Sequence, residues 1–513
     1  MKCFAIGFSE SFWVDVLTKL QDEHQINPVY ITALPEYLTQ YRKLFNQAVV
    51  HDLLKAARGI PAPQWQDHPD LWLDEEVLRK YCYEQYIATS MMNRMDPGGN
   101  FLFEERLRLF HRQLTYWHQV INHLQPDVVF MPTTPHAVYD YVIFALCQKL
   151  NIPTLMFSFT SFNKYYLRRD IENALGPARK EYWETLKNGL PEFNLSDQLK
   201  EHFSKITHTK DASSYLFTRK FNLTKWDHNK GLTKELTLKK LILVCIQSCL
   251  DALNIISRPA PENVLKQKGK SIERSDVTAL GFQLTRVRAK YYKKSLARFL
   301  AKLVQLPDLE QPFIYVPLHY QPENTTSPNG GIFENQILLV RILSGCLPKG
   351  WNIYVKEYPF QFNKRTKGEM ARNRQFYLDL KAIPGVRLIP KDFNSMELTD
   401  SCRAVATVTG TAGWEAVCRG KPVMLFGTSW YLGCEGVYRV RTTEDCRKAM
   451  KVISKGKVVD HDKVRYFAHV VESHCLDVYA RSNWINVHVK DLDEHNRKLA
   501  AILAQAAWGE REV

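Results

Sequence analysis

An α/β protein with two doubly wound domains is what this sequence predicts, on three observations. Its 513 residues exceed what one hydrophobic core organises. Short β-branched runs alternate with helical runs in two separate stretches, the spacing that builds parallel sheets. A content of 45% hydrophobic and 24% charged residues belongs to a globular chain, not to a disordered or membrane-spanning one.

The N-terminal stretch opens with an apolar strand at 3–8, a helix over 11–22 and a second strand at 28–32. Residues 35–120 read as helices broken by loops near Pro61 and Pro97. A strand at 127–131, a helix over 137–150 and a strand at 154–159 follow, the last set off by Pro153. From 165 to 305 the chain is polar, basic and helical in pattern, without clear strands and with an exposed loop over 258–270. The C-terminal stretch is cleaner. Strands at 313–318, 352–356, 386–389, 404–409 and 423–426 alternate with helices over 333–347, 373–381, 396–401 and 414–419. This reading gives an N-terminal domain over 1–306, including a helical basic insertion at 165–305, and a C-terminal domain over 307–485. The join falls near Leu306 and Pro307. A last helix, within 486–513, could pack back on the first domain.

The formal charge of +15 points to anionic partners. Arg286, Arg288, Lys290, Lys293, Lys294, Arg298 and Lys302 interleave with Leu284, Val287, Tyr291, Leu296, Leu300 and Leu303. At helical spacing they make a basic face and an apolar stripe, suited to a solvated surface helix or to an anionic membrane face. No RNP, zinc-finger or helix-turn-helix signature accompanies the charge, so nucleic acid is not an expected partner. The 11 scattered cysteines include no C-x-x-C pair, which argues against a disulfide framework or structural zinc and for a reducing cytoplasm. Cys245 and Cys249 read as small buried helix residues. The N-terminal apolar run is too short for a signal peptide, and the longest apolar stretch, 241–256, carries Gln247 and Asp251 and falls short of a membrane span.

Ligands of doubly wound sheets sit at the carboxyl ends of the strands. Three such ends carry chemistry here. The run T-G-T-A-G-W-E places Thr409, Gly410, Thr411, Ala412 and Gly413 at a strand end, with Glu415 in the helix that follows. Small residues admit a ligand to the backbone, and the first helical turn offers N–H groups to an anion. The same run also serves as a tight turn capped by Thr411. His319, Gln321 and Glu323 follow another strand, and Lys356 and Glu357 end a third, with Lys356 placed to offset phosphate charge. On the N-terminal side, Glu10 follows the first strand, and His136 and Asp140 stand one helical turn apart after 127–131, the candidates for a catalytic base.

The ordered runs L-H-Y-Q-P-E…T-T-S-P-N-G-G, V-K-E-Y-P and T-G-T-A-G-W-E-A…G-K-P-V resemble the capsule polysaccharide biosynthesis family, which includes the Kdo (3-deoxy-octulosonate) transferases of capsule assembly. The resemblance is strong over 311–440 and weaker over 126–170. It implies a GT-B architecture: two Rossmann-like domains facing across a cleft, the donor held by the C-terminal one. It implies a metal-independent glycosyltransferase that takes a nucleotide-sugar as substrate, with a CMP-linked, Kdo-like acid among the donors, and needs no cofactor. The acceptor would be a surface polysaccharide or glycolipid, reached from the cytoplasm with peripheral attachment to the membrane. A nucleotide-sugar 2-epimerase and a non-catalytic nucleotide- or polyanion-binding member are the alternatives. One departure stands out: Tyr358 occupies the place where the family commonly has His in K-E-H-P. A phenol donates a hydrogen bond to phosphate but is a poor acid–base group at neutral pH.

Overall fold

The computed structural model describes residues 1–65, 73–96, 101–208, 246, 265–268, 271–274, 279–363 and 366–509. Lys2–Ile6 (β1), Asn27–Ala33 (β2), Val49–Asp52 (β3), Val128–Met131 (β4), Thr154–Phe159 (β5) and Tyr165–Arg168 (β6) form one sheet in the order β3-β2-β1-β4-β5-β6. Its first five strands run parallel and β6 returns antiparallel to β5. Leu265–Lys268 (β7) and Ser271–Arg274 (β8) pair as a separate hairpin. Phe313–Pro317 (β9), Asn352–Lys356 (β10), Val386–Ile389 (β11), Ala404–Thr407 (β12), Val423–Leu425 (β13) and Val437–Arg439 (β14) form the second sheet, all parallel, in the order β11-β10-β9-β12-β13-β14. Residues 3–6 of β1 and all of β12 are buried, as strands covered by helices on both faces must be. In each sheet the strand order reverses beside the central strand, between β1 and β4 and between β9 and β12. Loops leaving those strands diverge and open a crevice.

Short strands escaped the sequence pattern. β3 lies within the stretch read as helical, β6 and the β7–β8 hairpin within 165–305, and β14 beyond the last expected strand. Each has three or four residues, too few for a period of two to show. β3, β6 and β14 are edge strands, so pairing on one side creates them more than their own residues do.

The helices of 165–305 were expected to belong to the first domain, and the described ones pack on the second. Ala178 and Tyr182 of Gly176–Lys187 and Leu199 and Phe203 of Asp197–His208 cover the sheet face that carries Tyr315, Tyr354, Val405 and Leu425. On the other face, Leu296 and Leu300 of Ala279–Ala301 pack with Ile314, Ile353, Val355 and Ala406. A parallel sheet must be covered on both faces, and these apolar stripes do it whatever their place in the chain. The basic helix also divides differently from its pattern. Val287 and Tyr291 are exposed, whereas Lys293 is buried, 3.0 Å from Glu369, and donates to the carbonyl oxygens of Asn363 and Thr366. The terminal helix Leu492–Trp508 joins the core of the first sheet, with Leu499 and Leu503 against Val16, Leu17 and Leu20. Lys19 reaches across to Asp493 at 2.7 Å.

Residues 241–256 other than Ile246, with Cys245 and Cys249, lie outside the described residues, as do the side chains of Leu284 and Arg286. Among the described residues no helix is long and apolar enough to cross a membrane, and no three His, Cys, Asp or Glu side chains cluster as metal ligands would.

Candidate functional site

At the reversal point of the second sheet, His319 follows β9 and the T-G-T-A-G-W-E turn follows β12. The His319 Nε2 atom accepts from the Thr409 N–H at 3.4 Å and lies 3.1 Å from Thr407 Oγ1, which itself accepts from the Gly410 N–H at 3.3 Å. An acceptor Nε2 places the proton of the neutral ring on Nδ1, 3.2 Å from Glu323 Oε1. His319, expected to touch the donor, therefore ties the two strand ends together and sets the turn's shape.

The turn leads into the helix Thr411–Cys418. The N–H groups of Thr411 and Ala412 have no partner among the described residues, as the first turn of any helix requires unless something caps it. Beside them the Thr409 hydroxyl is buried without a partner. Gly410 is needed for proximity, since an added Cβ would stand 3.1 Å from the His319 ring. Gly413 has a different reason from the one its sequence implied. It faces the Tyr431 phenol rather than a ligand, and that phenol donates to the Gly410 carbonyl at 2.5 Å.

Glu415 is half-buried one turn into this helix, and burial lifts its carboxyl to about 7 against a hydrogen bond from Thr411 and the charge of Arg419. It is within electrostatic reach of Tyr315 and Tyr358. Burial first, then the carboxylates of Glu323 and Glu415, push the Tyr358 phenol up to about 12, so it stays protonated and keeps a proton to donate. Its ring stacks on Phe360 with centroids 5.4 Å apart. At the end of β10, Lys356 is 6% exposed and donates to Ser395 Oγ, and burial lowers its ammonium to about 8.

Two residues expected to bind the donor are occupied elsewhere. The Glu357 carboxylate is buried, accepting from Arg372 Nε and from the Tyr377 hydroxyl, each at 2.8 Å. Arg372 goes on to the His319 carbonyl at 3.0 Å, so the pair braces the crevice floor. Gln321 is buried, its N–H donating to Gln361 Oε1 and its amide nitrogen to Thr326 Oγ1. Sequence spacing shows strand ends but not which way a side chain turns there.

On the N-terminal side, Glu10 accepts from the N–H and hydroxyl of Ser482, tying β1 to the C-terminal segment. Asp140 uses both carboxylate oxygens on the N–H groups of His136, Ala137 and Tyr141. This clamp holds Val138 at φ 68°, a conformation that a β-branched residue rarely adopts. Neither carboxylate stands free to act as a base. His136 differs. Its Nδ1 donates to the Thr134 carbonyl at 2.8 Å, which leaves Nε2 as the lone-pair nitrogen of the neutral ring. Arg94 brings this loop to the second domain, because its guanidinium donates to the carbonyls of both His136 and Glu323. Arg168, 3% exposed, repeats the bridge between Thr134 Oγ1 and Asn329 Oδ1, at 2.8 and 2.6 Å. Nothing in the sequence marks Arg94, Arg168 or Arg372, whose partners stand at separations up to 229 residues.

Two sheets of reversed strand order, the first mixed at its β6 edge and the second all parallel, with a crevice at the second reversal point define a two-domain α/β protein of doubly wound architecture. Residues 334–472 match the family described as "Capsule polysaccharide biosynthesis protein", so the resemblance to that family holds over the heart of the C-terminal domain. No curated protein matches the sequence. Among solved structures, the UDP-GlcNAc 2-epimerase of Methanocaldococcus jannaschii is 11% identical, with 92% of this chain and 100% of that one covered at a TM-score of 0.24. The calicheamicin glycosyltransferase CalG4 is 11% identical, with 100% and 99% covered at 0.21. The Thermosulfurimonas dismutans KpsC β-Kdo 2,7 transferase is 14% identical, with 38% and 66% covered at 0.20. At these TM-scores the three likenesses decide nothing about this chain's chemistry.

Proposed function

We propose that this protein is a metal-independent glycosyltransferase that moves a sugar from a nucleotide-sugar to a polysaccharide or glycolipid acceptor. The observation that carries the reading is the open N-terminus of Thr411–Cys418, where two unpartnered N–H groups stand beside the buried, unpaired Thr409 hydroxyl. That is a seat for a phosphate oxygen. Lys356 adds charge to it, and Tyr358 adds a neutral donor. Glycosyl transfer asks for stabilisation of the leaving phosphate and for removal of the acceptor hydroxyl's proton. The helix N-terminus and Lys356 meet the first demand. The second falls to His136 Nε2, with Arg94 and the Asp140 clamp as positioning groups. Glu415 suits hydrogen bonding to the donor sugar, as donor or acceptor, because its carboxyl stands near 7. A CMP-linked acid is the donor to try first. Peripheral attachment to anionic membrane is carried by Arg288, Lys294 and Arg298, exposed on the basic helix beside exposed Val287 and Tyr291.

The test is thermal unfolding with CMP, UDP, GDP and dTDP. A ligand bound only by the folded state at a hundred times its dissociation constant adds about 2.7 kcal/mol. One nucleotide should raise the midpoint and lose its effect in Lys356→Ala. No response to any of the four would overturn the donor site.

A further inference from the structure

Next to the donor crevice lies a second hollow, on the far side of Asn329. It is a cavity of about 180 Å³ between the domains, walled by Tyr83, Tyr141, Phe144 and Gln148 from the first and by Asn329 and Arg441 from the second. The two spaces are neighbours: the Asn329 carbonyl accepts from Thr428 N–H, and an added Cβ at Gly427 would meet both that carbonyl and Thr409 Cγ2. Its volume is below the roughly 300 Å³ at which pockets take drug-sized ligands, so it has room for a single ring and none for a nucleotide.

Two of the carboxylates around the cavity are paired. Glu84 lies 3.3 Å from Lys149, and Glu172 lies 3.4 Å from Arg439 and 3.0 Å from Arg441. Asp170 also lines the cavity and accepts from the Glu172 N–H at 2.8 Å, so the wall is acidic on balance, which disfavours an anionic guest and lets a neutral one bond to the carboxylates. Tyr83 and Phe144 supply aromatic surface, and the Tyr83 phenol is bonded to Arg441. Gln148 is fixed by bonds from Nε2 to Thr154 Oγ1 and the Arg169 carbonyl, both at 3.2 Å, which leaves Oε1 as an acceptor. Tyr141 is the telling residue. It is 5% exposed and lines the cavity, yet its hydroxyl has no partner among the described residues. The phenol oxygen opens on the cavity, so a ligand hydroxyl there can bond to it.

We propose that this cavity is an acceptor subsite for a neutral pyranose, held on aromatic surface and hydrogen-bonded by Tyr141. Aromatic faces take the apolar C–H face of a sugar, while the phenol and the amide oxygen take its hydroxyls. The proposal rests on the glycosyltransferase reading. The experiment is ligand-observed NMR with methyl glycosides of glucose, galactose, mannose and N-acetylglucosamine, and with glucuronate as the acidic control, each titrated with nucleotide affinity measured on the same sample. At least one neutral glycoside should bind saturably and glucuronate should not. Tyr141→Phe should weaken that binding about fivefold or more, the loss of one hydrogen bond, without changing nucleotide affinity or the unfolding midpoint. Tyr83→Ala, at a 41% exposed position, should weaken it independently. Absence of saturable binding by any neutral glycoside, unchanged affinity in Tyr141→Phe, or preference for glucuronate would each overturn the proposal. Sugar binding that responds to Tyr141→Phe in a protein that binds no nucleotide would keep the cavity as a sugar site and reject the donor crevice instead.

Discussion

Replacing Glu415 with glutamine should stabilise the folded protein at alkaline pH and do nothing at acid pH. The carboxyl moves from its ordinary 4.5 to about 7 on folding, chiefly because burial disfavours its charged form. Below about pH 4.5 it is protonated in both states and contributes nothing. Between 4.5 and 7 the unfolded chain has lost the proton that the folded one keeps, so stability falls as pH rises. Above 7 the whole penalty stands, about 3 kcal/mol as an upper figure. The side chain is only half-buried, so solvent screening brings the expected gain of Glu415→Gln at pH 8 to about 1–2 kcal/mol. For domains of this size that is a rise of roughly 2–8 °C in unfolding midpoint. Midpoints of both proteins should be measured from pH 4.5 to 8.5. The curves should meet near pH 4.5, separate progressively up to about pH 7 and run parallel above it. A difference that does not change with pH, or a variant less stable at pH 8, would refute the burial of this carboxyl as its cause. Such a gain would also fit a functional origin, a carboxyl held near neutrality at the expense of stability.

Lys356→Ala should weaken nucleotide binding about 10- to 100-fold by titration calorimetry, and wild-type affinity should fall as pH rises through about 8, where the ammonium loses its proton; flat affinity from pH 7 to 9.5 would contradict a charge-based role. Arg372→Met leaves the Glu357 carboxylate buried without its cation and should cost about 3–5 kcal/mol in urea unfolding; a cost under about 1 kcal/mol would mean that the brace is not needed. Gly413→Ala sets a methyl against the Tyr431 phenol and should destabilise by about 1–3 kcal/mol, a loss that Gly413→Ala combined with Tyr431→Ala should not exceed additively if the two sites are in contact. Removing Arg288, Lys294 and Arg298 together should abolish co-sedimentation with phosphatidylglycerol vesicles, since each basic group near such a surface contributes about 1 kcal/mol; binding that survives the triple change and high salt would exclude this helix as the anchor.

The alternation that builds most of the second sheet was readable because β9 to β13 are short runs rich in apolar and β-branched residues between helical ones, a local pattern. The T-G-T-A-G-W-E turn was readable for the same reason, since small residues before a helix start are a local signal. The edge strands β3, β6 and β14 were not, because three or four residues become a strand through the neighbour they pair with. The docking of the helices of 165–305 on the second sheet was decided by which apolar faces lay uncovered, a property of the assembled sheet and of no segment alone. The site divided in the same way. Residue types at strand ends came from the sequence, but whether a carboxylate meets solvent or an arginine depends on partners far along the chain. Glu357 and Asp140 turned inward to Arg372 and to backbone N–H groups, His136 was left with a lone pair, and Arg94 joined its loop to that of Glu323. Periodicity records what neighbours in sequence do to one another; a crevice is made by neighbours in space, so its chemistry was fixed only when the two sheets met.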